Sequence, residues 1–344
     1  MDTKAIQSRL SSFPLILIAP FFLWGTAMVA MKGIIDETTP LFLAGIRLLP
    51  AGGLVLVAAF WMNRPQPKSW KAWLWIGLFA LVDGTLFQGF LAEGLQRTGA
   101  GLGSVMIDSQ PLAVAVMARF LFREFVGGIG WIGLIIGILG ISLLGLPDDW
   151  VLALFRGKIA IGSTELGKAA LEGLFQQGEW LMLMAALSMA VGTILIRYVC
   201  HHADPIVATG WHMILGSIPL FISSSLVETN QWQQLGGADW GAIAYATVFG
   251  SAIAYGIFFH LASKGSLTSL SALTFLTPVF ALLFGNLFLG EVLTQIQWIG
   301  VGFTLISIYL INQRQQLTAF FNSQKPQACQ EKRPLEPSTL KSDS

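Results

Sequence analysis

Ser271-Ala272-Leu273-Thr274-Phe275-Leu276-Thr277-Pro278-Val279-Phe280, with Phe288-Leu289-Gly290-Glu291 after it, is the stretch on which the reading of this chain turns. It has a counterpart upstream. A shift of 167 residues lays Ser104 on Ser271, Pro111 on Pro278, Glu124 on Glu291, Trp131 on Trp298 and Gly133 on Gly300, with Arg97 falling on Lys264. Most of these matches are polar or helix-breaking residues, which general oiliness would not align by chance. Duplicated hydrophobic halves are typical of carriers that rock one repeat against the other around a shared site.

Composition sets the solvent. Of 344 residues, 54% are hydrophobic and 11% charged, against about 25% charged in soluble domains. The chain therefore belongs in lipid. A formal net charge of +1 excludes the concentrated basic surface that nucleic acid needs, so no nucleic-acid partner is expected. The two cysteines, Cys200 and Cys329, have neither metal nor redox spacing. No metal and no cofactor is expected.

Crossing ~30 Å of hydrocarbon as a helix takes roughly 20 apolar residues. Ten segments qualify: about 13–32, 41–62, 72–93, 101–122, 127–146, 179–200, 205–226, 239–262, 267–289 and 295–312. Helices are expected because the bilayer core leaves a free backbone N–H or C=O without a partner. The fold expected is an all-α polytopic membrane protein. Residues 1–12 form a cytoplasmic N-terminus, 13–146 the first five-helix repeat, 147–178 an extracytoplasmic inter-repeat loop, 179–312 the second repeat and 313–344 a disordered cytoplasmic tail. Five spans per half is an odd number, so the second half enters the membrane upside down, as an inverted repeat. Within 147–178, the run from Trp150 to Phe155 is too short to span and reads as interfacial.

Orientation follows the positive-inside rule. An inner N-terminus puts Lys4, Arg9, Arg64, Lys68, Lys71, Arg119, Arg123, Arg197, Lys264, Arg314, Lys325, Lys332, Arg333 and Lys341 inside. It leaves Lys32, Arg47, Arg97, Arg156, Lys158 and Lys168 in the outer half. Both termini are therefore expected in the cytoplasm, with the chain in the cell inner membrane.

Ionisable groups deep in a bilayer are costly and face a polar interior, so each is a candidate. Arg47 and Asp108 lie at similar depth, two turns below the outer ends of helices two and four, and an ion pair between them is expected. Arg47 is also suited to a substrate carboxylate, which its planar fork binds through two parallel hydrogen bonds. Asp83, at mid-membrane in helix three, is the first candidate for a proton-coupling acid and Asp108 the second; a structural, hydrogen-bonded acid is the alternative for each. Gln88, with Tyr255 at the aligned position, and Gln110 ahead of Pro111 are substrate-binding candidates. His212 aligns with Arg47 at a shift of 165 and has the side chain whose ordinary titration suits proton sensing. Trp24 is a cavity-wall candidate, with simple packing as its alternative. Glu93, near the outer boundary, reads as solvated.

Pro111 and Pro278 each remove one helical hydrogen bond and mark a hinge or bend in the fourth helix of each half. Glu124 and Glu291 read as structural clamps to neighbouring helix ends. Gly127, Gly128, Gly130, Gly133, Gly137 and Gly140, with Gly300 and Gly302, allow close backbone approach and predict packing or homodimer surfaces on helices five and ten.

Several of these residues carry a family resemblance. Trp24-Gly25-Thr26 followed by Met31-Lys32, Arg47 in Ile46-Arg47-Leu48-Leu49, Thr209-Gly210-Trp211-His212 and the Ser271–Phe280 stretch are similar to motifs of EamA-type carriers in the drug/metabolite transporter superfamily. The resemblance spans nearly all of 13–312. It implies two inverted five-helix bundles around a central cavity, and export or exchange of small metabolites such as amino acids, linked to protons. The chain departs from that pattern in a longer inter-repeat loop and in Asp108 and Gln110 ahead of Pro111.

Residues and resemblance together predict a secondary active transporter that moves small organic solutes across the inner membrane by alternating access with proton exchange. Its partners are the solute, protons and membrane lipid. It is not expected to be an enzyme: no zinc-protease HExxH motif, nucleophile elbow or phosphate loop is present. The alternatives are an intramembrane enzyme using Asp83 and Asp108 as paired aspartates, and a non-transporting membrane scaffold.

Overall fold

The computed structural model describes residues 3–32, 34, 37–97, 106–145, 151–152, 178–289 and 294–323, without the side chains of 3–14, 32, 145, 179, 288, 289 and 314–323. All regular structure among the described residues is helical. In chain order we label α1 Thr3–Lys32, α2 Pro40–Trp61, α3 Trp70–Arg97, α4 Gln110–Phe122, α5 Gly127–Gly145, α6 Glu179–Val199, α7 Pro205–Val227 and α8 Gly237–Ala262. α9 is built from Leu267–Ala272, a 3₁₀ turn Leu273–Phe275 and Leu276–Leu289; α10 is Gln295–Ser323.

Local chemistry sets the helix ends. Ser69 accepts a hydrogen bond from the Ala72 N–H, and Asp204 from the Ile206 and Val207 N–H groups with Pro205 in the first turn. These side chains satisfy donors that a helix start leaves open. α10 runs eleven residues past the expected end of the last span, to Ser323. Gln313–Thr318 contains no glycine or proline to stop it. The 147–178 loop lies outside the described residues except for Val151, Leu152 and Gly178.

Eight helices among the described residues are long and apolar enough to cross a membrane, and Leu15–Met31 and Gln110–Phe122 are shorter apolar helices. The polarity runs inside out relative to a soluble protein. Phe60, Trp61, Trp70, Phe120, Leu226 and Leu287 are largely exposed, while Asp83, Gln88, Gln110, Thr193 and His212 are buried. Large apolar surfaces are rare on soluble monomers and ordinary against lipid. The chain is a multi-pass membrane protein.

Matching helices of the two halves pack on one another. α2 lies along α7, with Gly45 against Phe221 towards one end and Arg64 3.4 Å from Asp204 at the other. α5 lies along α10: Gly133 meets Ile311, Gly140 meets Thr304 and Gly300, and Gln297 donates to the Leu144 carbonyl. Both pairs therefore run antiparallel. The other contacts come in matched sets, α1 on α8 and α9, α6 on α3 and α4, α2 on α8 and α7 on α3. The helix-five and helix-ten glycines at 133, 137, 140 and 300 are occupied by this internal seam. A homodimer surface built from them is unavailable on that face.

Two breaks fall beside a proline and two where the sequence gives no sign, while Pro50 and Pro219 sit inside the continuous helices α2 and α7. Pro111 sits in the first turn of α4 behind a turn at Asp108 and Ser109, and Pro278 follows the 3₁₀ turn of α9. In each case the missing N–H would have bonded four residues back, to Ile107 and Thr274, beside the break. α3 and α8 each widen to a π-helix at mid-length, over Ala80–Phe87 and Ala246–Ile253. The two segments match at a shift of 166.

Candidate functional site

The buried polar side chains gather where the two halves meet. Asp83, in the π segment of α3, points across to α7. Its Oδ2 lies 3.2 Å from His212 Nε2, and each residue is 1% exposed. Close backbone packing makes this reach possible. Gly84 lies so near Gly216 that a Cβ on Gly84 would be 2.9 Å from the Gly216 Cα, and Thr85 donates to the Gly216 carbonyl at 2.9 Å. On the other side the Asp83 carboxylate occupies the space that a side chain on Gly192 of α6 would take. Phe79 stacks on the imidazole at 4.1 Å and Phe259 meets it edge-on at 5.5 Å.

Beside this pair, Gln88 Nε2 donates to the Tyr255 hydroxyl at 2.8 Å. The Tyr255 ring packs against Trp24 at 5.1 Å and Phe259 at 5.8 Å. Arg47 enters from α2. It interacts electrostatically with Tyr255 and donates to Met31 Sδ at 2.9 Å, while its Nε has no partner. On the other flank Gln110 donates to Thr193 Oγ1 at 3.3 Å, which in turn donates to the Met189 carbonyl. Asp108 is buried, 8% exposed.

Several polar atoms in this region are buried without a hydrogen-bond partner: Trp24 Nε1, Arg47 Nε, both Asp83 carboxylate oxygens, Gln110 Oε1, His212 Nδ1, Ser251 Oγ and Thr277 Oγ1. Native interiors leave few such atoms, and a group of them calls for a ligand, water or ion.

The structure thus gathers Asp83, His212, Gln88, Tyr255 and Trp24 into one chain of contacts, with Arg47 within electrostatic reach of Tyr255 and Gln110 bonded to α6. It corrects one pairing. Among the described residues no ion pair joins Arg47 to Asp108. Equal depth along two helices does not fix the direction in which each side chain leaves its helix. The described partner of Asp83 is His212, so a paired-aspartate arrangement gains no support. Ser251, Thr277, Thr193 and Gly192 were not singled out from sequence, although the shift of 167 places Thr277 on Gln110.

The clamps are also visible. Glu124 accepts from the Leu267 and Thr268 N–H groups at 3.2 and 3.3 Å and from the Ser266 hydroxyl, holding α4 to the start of α9. Glu291 lies outside the described residues. Glu228, unremarked in the sequence, holds the start of α2 through Thr39, Leu41 and Phe42. Glu93 forms a 2.6 Å surface pair with Arg97. Among the described residues no group of three potential metal ligands occurs.

The model of the EamA-like transporter family matches residues 12–146 and again 176–313. The chain belongs to the EamA-like transporter family. This EamA protein is 62% identical over 303 residues to the uncharacterized transporter sll0355 of Synechocystis sp., covering 88% of this chain and 90% of that one. It is 50% identical to the chloroplastic WAT1-related protein At3g02690 of Arabidopsis thaliana, covering 86% and 68%. The uncharacterized transporter YvbV of Bacillus subtilis is 27% identical, covering 87% and 90%. One crystal structure superposes with a TM-score of 0.68 at 17% identity, covering 87% of this chain and 96% of that one. At that identity it speaks for the fold alone. The protein is a membrane transporter of the EamA type.

Proposed function

We propose that this EamA transporter is a secondary carrier that exports or exchanges small, carboxylate-bearing organic metabolites, amino-acid-like solutes among them, across the inner membrane by alternating access. Its ten spans form two inverted five-helix repeats, 13–146 and 179–312, with both termini in the cytoplasm. The antiparallel pairing of α2 with α7 and α5 with α10 supports inversion, since equivalent helices of inverted halves must run in opposite directions.

One observation carries the choice of cargo. Arg47 is half-buried where the halves meet, with its Nε covered, and its described contacts supply no counter-ion. A buried cation without a partner is expensive, and a solute carboxylate supplies the missing charge through paired hydrogen bonds. Trp24 and Tyr255 offer aromatic walls, and Gln88, Gln110 and His212 further polar contacts. Proton exchange at Asp83, with Asp108 as the second acid, drives the cycle. Pro111 and Pro278 provide the bends about which the halves rock.

Metabolite profiles of cells overproducing the protein and cells lacking it test this reading. A carboxylated solute is expected to accumulate outside the overproducers. Arg47→Gln removes one charged hydrogen-bonding group, a loss of about 1.5–3 kcal/mol, and is expected to weaken export roughly tenfold or more, with Arg47→Lys retaining part of it. Export of a neutral or cationic solute, unchanged in Arg47→Gln, contradicts the reading.

A further inference from the structure

We propose that Asp83 and His212 together form a single proton-binding unit that ties the first half of the protein to the second, one unit per chain. The two groups belong to different halves, and Asp83 Oδ2 lies 3.2 Å from His212 Nε2. They are walled in. Gly192 makes room for the carboxylate, Phe79 and Phe259 cover the imidazole, and Gly84 against Gly216 brings the two backbones together.

The pair is not built as a finished structural salt bridge. A buried ion pair recovers its desolvation cost only when further hydrogen bonds satisfy the remaining atoms. Here Oδ2 has only the 3.2 Å approach of His212 Nε2, while Oδ1 and His212 Nδ1 have no hydrogen-bond partner. The charged pair and its neutral counterpart are both incompletely satisfied, so gain or loss of one proton changes the attraction between the halves. The proton passes between water and a carboxylate oxygen of Asp83 or an imidazole nitrogen of His212, and no bond between heavy atoms changes.

Few other groups compete. The described partners of the π segment are α6 and α7. His212 is the only titratable residue of α7, and α6 has none between Glu179 and Arg197. The next groups outward are Tyr255 on α8, which interacts electrostatically with Asp83, and Arg47 on α2, which interacts with Tyr255. The internal repeat sets the number of units. Shifts of 167 and 165 put Gly250 where Asp83 stands and Arg47 where His212 stands. The mirrored seam keeps a cation and lacks the acid, so it takes no second proton.

The proposal rests on the carrier reading for its role in a cycle, but the titration is measurable without transport. Infrared difference spectra of the purified full chain in detergent, stepped across about pH 4–9, read the carbonyl stretch of a protonated carboxylic acid. A band present in the wild type should vanish in Asp83→Asn, persist in Asp108→Asn and shift its midpoint by a unit or more in His212→Gln. Proton uptake over the same range should fall by close to one proton per chain in Asp83→Asn. Should Asp83→Asn fail to fold, the midpoint in His212→Gln decides. An unaltered spectrum in Asp83→Asn, or an unmoved midpoint in His212→Gln, overturns the proposal. Absence of flux in liposomes with this titration intact would sink the carrier reading and leave the proton unit standing.

Discussion

At the scale of single residues, burial decides reactivity as well as recognition. Cys200 follows the end of α6, partly covered, and burial pushes its thiol up to about 11 despite a hydrogen bond with Ser263 and the charge of Lys264. The thiolate is the reactive species, so maleimide labelling at neutral pH should be slow. It should quicken about tenfold per pH unit up to that value. Mass spectrometry of the labelled peptide measures this, and labelling at neutral pH as fast as that of a free thiol contradicts the burial.

The individual candidates were largely legible in the sequence. Arg47, Asp83 and His212 stand out because a bilayer tolerates few such groups. Their partners were not legible. Asp83 and His212 are not repeat equivalents, so nothing in the internal alignment pairs them; only the crossing of α3 and α7 does. Gln88 and Tyr255 are equivalents at a shift of 167, and their 2.8 Å bond requires that both lie at the axis relating the halves, which an alignment does not reveal.

At the scale of elements, the breaks in the fourth helix of each half were readable from Pro111 and Pro278. The π segments were not, because no side-chain type encodes an i→i+5 bond and such bulges are stabilised by their surroundings. The one in α3 carries Asp83 into the α7 contact, which links an irregular backbone to a candidate site.

The α5–α10 seam makes a separate prediction. Gly137 faces Phe275 and Ser307 at less than ordinary contact distance for a Cβ, whereas Gly302 has nothing within 4 Å. Gly137→Val should overpack the seam and cost about 1–3 kcal/mol, lowering the melting temperature in detergent. Gly302→Ala should leave that temperature unchanged or raise it, since alanine is favoured over glycine in a helix by roughly 0.5–1 kcal/mol. Equal effects from the two substitutions would show that the seam is not close-packed.

At the scale of the whole molecule, the duplicated sequence folds so that equivalent helices meet antiparallel, and the polar residues left over collect between them. The halves have diverged in charge. One seam holds an acid with its imidazole, and the other holds Arg47 alone. In the cycle proposed above, that difference assigns a solute and a proton to mirrored places in one fold.

Flux through the purified protein in liposomes tests this account most directly. Vesicles loaded with a cell metabolite extract, placed under an imposed pH gradient and sampled by mass spectrometry, should release particular carboxylated solutes far faster than protein-free vesicles. Collapse of the gradient or Arg47→Gln should slow that release about tenfold or more. Release no faster than from empty vesicles, or equal release from Arg47→Gln, would contradict it.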